Sequence, residues 1–71
     1  MENEIEREVR RSHADWEFVK RQPPRIRAAL ELYIEKGDIR LAQRIAGMDL
    51  EDFLDLLREA KIPKVTVIWE E

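Results

Sequence analysis

Apolar and polar positions change period several times along the chain, and each change marks an element. Between Glu2 and about Arg21, Ile5, Val9, Ser12, Trp16 and Val19 recur at steps of three and four, the spacing of one helix face. This predicts a single N-terminal helix with Glu2, Glu4 and Glu6 at the positive end of its dipole and Lys20 and Arg21 at the negative end. Surface pairs such as Glu6 with Arg10 would add a few tenths of a kcal/mol each. Pro23-Pro24 interrupts the pattern, because a residue before proline is pushed out of the α region while proline suits a first helical turn. A second helix therefore opens near Pro24, turns Ile26, Ala29, Leu30, Tyr33 and Ile34 inward, and closes at Gly37. Asp38 is the predicted N-cap of a third helix, Ile39 to Ala46, with Leu41, Ala42 and Ile45 inward. Gly47 ends it. Asp49 is the predicted cap of a fourth helix, with Asp52 in an imperfect capping box, and Leu50, Phe53, Leu54, Leu56 and Leu57 form a wide apolar face before Pro63.

The tail KVTVIWEE alternates Val65, Val67 and Trp69 with Thr66 and Ile68, the period of a strand. A lone strand leaves backbone donors and acceptors unpaired and so offers a template to another chain. The expected fold is mainly α: an N-terminal helix (1–22), a trihelical helix-turn-helix core (23–63) and one short C-terminal β-strand (64–71), assembled as a homodimer.

With Gly47 as the turn glycine, Ala42, Ala46, Met48, Phe53 and Leu56 take the inward positions of a helix-turn-helix, while Gln43 sits where a small residue usually allows close contact. Docked in a major groove, the fourth helix would present Asp49, Glu51, Leu54, Asp55 and Arg58. Carboxylates such as Glu51 and Asp55 can accept from cytosine N4, but near phosphates they repel. The cations available for the DNA backbone are Arg25, Arg27, Arg40 and Arg44. Net charge is −3, and the deficit lies in residues 38–71, with five Lys/Arg against eight Asp/Glu. The segment most like a DNA reader is thus the worst charged for it.

A chain of 71 residues is one domain at most and buries only about 60% of the surface its unfolded form exposes. There is no cysteine for a disulfide or zinc site, so oligomerisation or a partner protein is the expected source of extra support. The opening MENEIEREVRR lacks the apolar run of a signal peptide, and no later stretch approaches the ~18 apolar residues of a membrane span. A cytoplasmic protein is expected. One histidine, His13, and no glycine-rich phosphate loop argue against an enzyme, a cofactor or a small-molecule substrate.

The run IRLAQRIAGMDLEDFLDLLREAKIPKVTV resembles small prokaryotic proteins classed with VapB-like antitoxins. The matching residues are Leu41, Ala42, Ala46, Gly47, Met48, Phe53, Leu54, Leu57, Ile62, Pro63 and Val65. The likeness spans residues 25–69 and departs from the family pattern at Lys61, where a glycine commonly precedes Ile-Pro, and in the N-terminal helix, where many relatives begin with a strand. It implies a helix-turn-helix protein encoded beside a PIN-domain ribonuclease toxin, with a neutralising or regulatory role.

The expectation is therefore an antitoxin-like protein-binding module that also regulates its own operon. Its partner contacts would come from helix one and the tail, anchored by Trp16, Val65, Val67 and Trp69. The alternative is a dimeric DNA-binding regulator without a toxin partner.

Overall fold

The computed structural model describes residues 4–63, which form five α-helices: α1 (Glu4–His13), α2 (Trp16–Arg21), α3 (Pro24–Lys36), α4 (Ile39–Ala46) and α5 (Leu50–Glu59). The strand expected over 64–71, with Val65, Val67 and Trp69, lies outside the described residues. From Pro24 to Glu59 the helices start and stop where the proline, glycine and aspartate signals place them. Gly37 takes a left-handed backbone (φ 72°) and its N–H donates to the Tyr33 carbonyl at 2.8 Å. The Asp38 carboxylate accepts from the Leu41 N–H at 3.1 Å. Asp49 departs from expectation: it occupies the N-cap position of α5, but its side chain accepts no capping hydrogen bond. Its charge still lies at the positive end of the dipole.

The N-terminal segment is not one helix. It breaks at Ala14–Asp15, where the Asp15 carboxylate accepts from the Phe18 N–H at 3.2 Å and starts α2. The Asp15 N–H is thereby released from the helical ladder and donates instead to the Ala60 carbonyl at 2.7 Å, at the end of α5. The break also turns α1. Ile5, expected inward, is 71% exposed, and Arg10, expected on the surface with Glu6, is 2% exposed.

The reason lies in the carbonyls that helix ends leave without intrahelical partners. Arg10 Nε–H donates to the Ile34 carbonyl near the end of α3 at 3.0 Å, with its guanidinium 5.5 Å from the Tyr33 ring centre. Trp16 Nε1–H donates to the Arg11 carbonyl of α1 at 2.9 Å, and Gln22 Nε2–H to the Phe18 carbonyl of α2 at 3.0 Å. Arg25 Nε–H donates to the Ile45 carbonyl of α4 at 2.6 Å. Each of the five helices thus has a C-terminal carbonyl occupied by a donor from outside its own ladder.

Between the helices lie Val19, Ala29, Leu30, Tyr33, Ile34, Ala42, Phe53, Leu57, Ala60 and Ile62. Phe53 meets Tyr33 edge to face at 6.4 Å, joining α5 to α3. Ala42 and Ala46 are buried, and their small side chains let α4 approach its neighbours closely. That places Leu41, expected inward, on the flank of α4 at 40% exposure. Of the remaining predicted inward positions Phe53 is buried, while Met48 and Leu56 are half-buried.

Candidate interaction surface

The four arginines expected on phosphates do not form one set. Arg25 spans from α3 to the end of α4, where its guanidinium lies over Gly47: a Cβ added there would sit 3.0 Å from an Arg25 terminal nitrogen. It is a capping residue, drawn there by the negative end of the α4 dipole. Arg27 faces Glu31 at 3.9 Å, one turn along α3. Arg40 and Arg44, four residues apart on α4, are exposed and make no ion pair among the described residues. Only this last pair is left for an anion.

The exposed side of α5 is different in kind. Phe53 and Leu57 point into the core, whereas Leu50 is 46% exposed and Leu54 half-buried. Leu50, Leu54 and Arg58 follow one another at steps of four along one edge of the helix, and Lys61 lies just beyond its end. Glu51 and Asp55 flank that line, and Asp55 accepts from Arg58 at 3.0 Å. Acidic groups thus stand toward the start of α5 and basic ones toward its end.

Beside the C-terminal half of this line an open groove of about 490 Å³ is lined by His13, Leu54, Leu57, Arg58, Lys61, Ile62 and Pro63. Its floor is apolar and its rim basic. Lys61 is held there by the backbone: it is non-glycine yet left-handed (φ 60°), with its N–H on the Arg58 carbonyl at 3.1 Å and the Ile62 N–H on the Leu57 carbonyl at 3.0 Å. That bond pair is a Schellman motif, and it sets Ile62 against Leu57. His13 approaches the Val9 carbonyl with Nδ1 at 2.9 Å.

Trp16, expected as a partner anchor, packs partly buried against the core with its indole N–H on Arg11. Across α1 and α3, Arg11 and Glu35 form an ion pair at 2.7 Å. The hydrogen bond from Arg11 holds the Glu35 carboxyl below the usual carboxylate range, and the same bond raises Arg11. Among the described residues no group of three or more His, Asp or Glu side chains is placed to hold a metal ion. No helix there is long and apolar enough to cross a membrane.

Sequence reasoning found the residues of the α5 edge but read them as core or as a DNA-reading face. The signal available was the width of the apolar face: five apolar residues on a three-turn helix exceed what one buried stripe requires. No family model matches the sequence, and neither a curated protein nor a solved structure matches it, so the antitoxin likeness rests on the motif residues alone.

Proposed function

We propose that this protein is a protein-interaction module of antitoxin type, and that α5 is a protein-docking helix and not a DNA-reading one. The observation that supports this is the outer edge of α5, where Leu50 is 46% exposed beside Leu54 and the neighbouring polar groups are Glu51 and Asp55. An apolar line flanked by carboxylates suits another polypeptide, because it loses apolar contact with water on docking, whereas next to phosphates the carboxylates are repelled. The partner expected from the resemblance is a PIN-type ribonuclease, reached through the tail.

A second reading, regulation of its own operon, draws support from Arg40 and Arg44, two exposed cations one turn apart on α4 that make no ion pair among the described residues. Two phosphate contacts supply weak, salt-sensitive binding, so DNA affinity on this reading needs a partner's help.

A photocrosslinking residue at position 54, introduced in the protein's own cells, separates the two. Adducts with polypeptide are expected; adducts with nucleic acid alone would overturn the protein-docking reading. In a mobility-shift assay on the DNA upstream of its gene, the chain alone should cause no retardation at physiological salt, and firm retardation abolished by R40A with R44A would favour the second reading.

A further inference from the structure

We infer that the polypeptide docked on α5 is a second copy of this chain, with the two α5 helices packed antiparallel about a two-fold axis at Leu54. This rests on the reading of α5 as a protein-docking helix and names its partner.

Three observations converge on self-recognition. The first is shape. Each chain carries an exposed apolar knob, Leu50, and an apolar groove formed by Leu54, Leu57, Ile62 and Pro63 on the same edge. Leu50 and Arg58, at the groove rim, are about 12 Å apart at 1.5 Å rise per residue. An isologous interface requires this pairing of features, since whatever one surface inserts the same surface must also receive.

The second is charge. Glu51 stands three residues before Leu54 and Arg58 four residues after it, seven apart and so on one side of the helix. A two-fold axis through Leu54 with antiparallel helices brings each Glu51 within one residue, about 1.5 Å along the axis, of the other protomer's Arg58, and does so twice. Parallel helices would instead oppose like charges. The acidic start and basic end of α5 follow the helix dipole, so the antiparallel arrangement also opposes the two dipoles favourably.

The third is register. With Leu54 at the axis, the knob of one protomer falls level with Arg58 of the other, at the rim of the groove. Arg58 then chooses between Asp55 of its own chain, at 3.0 Å, and Glu51 of the second.

The test uses the full chain and its oligomeric state. Sedimentation equilibrium from micromolar to millimolar concentration is expected to show a monomer–dimer equilibrium. L50K, at an exposed position that leaves the core intact, should shift it to monomer. E51R and R58E should each weaken self-association by roughly tenfold or more, the scale of a close interfacial charge pair. Mixed together, these two variants should recover it as a one-to-one heterodimer, because both pairs become complementary again. Far-ultraviolet circular dichroism of each variant confirms that the helices persist. A chain that stays monomeric across the range, or a dimer indifferent to L50K and to the charge reversals, overturns the inference. In that case a foreign polypeptide trapped at position 54 would leave the docking reading standing, and nucleic acid trapped there would remove both.

Discussion

Arg25 and Ile45 are twenty residues apart in sequence, and the Nε–H of the first meets the carbonyl of the second at 2.6 Å. The bond closes the end of α4 from α3 and lays the guanidinium over Gly47. R25A should cost about 1 kcal/mol, less than the ~1.5–3 kcal/mol of a hydrogen bond from a charged group because the side chain is exposed. For a domain of this size that is a fall of roughly 4–8 °C in Tm. R25Q should lose less, since an amide can still reach the carbonyl. If R25A left Tm unchanged, Arg25 would be released for another role.

Gly47 combines a left-handed backbone (φ 70°) with Arg25 above it. G47A should cost more than R25A, because it strains the backbone and displaces the same guanidinium. The double variant should fall short of the sum of the two, the mark of residues sharing one contact.

Lys61 occupies a left-handed conformation that an L side chain adopts at a cost of about 1–2 kcal/mol. Glycine removes that cost but adds freedom to the unfolded chain, so K61G should raise stability by a net ~0.5 kcal/mol. Urea unfolding should show a higher midpoint at unchanged m-value. A lower midpoint would mean that the Lys61 side chain itself holds the turn.

Arg10 is buried with its Nε–H on Ile34 and its guanidinium against Tyr33. R10M keeps the apolar stem and removes the donor, leaving a helix-end carbonyl in the interior. A loss of about 2 kcal/mol or more is expected, a large share of the margin of a small domain. Chemical denaturation of R10M beside R11M tests this, with the exposed R11M expected to cost much less.

Glu35 titrates below its usual value of 4.5 because Arg11 donates to its carboxylate. A lowered folded-state pKa makes the contribution fully present above pH 4.5, and lost as pH falls through the folded value. The Tm difference between the protein and E35Q should therefore be largest near neutrality and shrink below pH 4.5. Both groups are half-exposed, so the difference should be small and should diminish in high salt.

How far the structure was legible in the sequence depends on the range of the interaction concerned. Helices α3, α4 and α5 begin and end at signals within a few residues of each boundary, Pro24, Gly37, Asp38 and Gly47 among them, and periodicity suffices there. The N-terminal segment misled for the opposite reason. Ile5, Val9 and Val19 keep helix spacing across Ala14–Asp15, while the break is completed by a bond from Asp15 to Ala60, far along the chain. Asp15 ahead of Trp16 and Glu17 was the local signal, an N-cap inside an apparently continuous pattern. Arg10, Arg25 and Trp16 look like surface or partner residues in sequence because their acceptors are carbonyls set in place only by the fold. The α5 edge was legible as apolar, but sequence spacing does not separate a leucine that faces the core from one 100° round the helix.

The Asp15–Ala60 bond means that the first 22 residues are no detachable arm. Val19 is fully enclosed, and the α5 terminus takes its last backbone donor from the elbow between α1 and α2. Trimming the chain ahead of Pro24 would therefore strip α5 of its anchor and loosen Lys61, Ile62 and Pro63 at the groove. Amide exchange in α2 and in α5 should accordingly rise and fall together, the behaviour of a single cooperative unit in which the elbow after α1 guards the shape of a helix far along the chain.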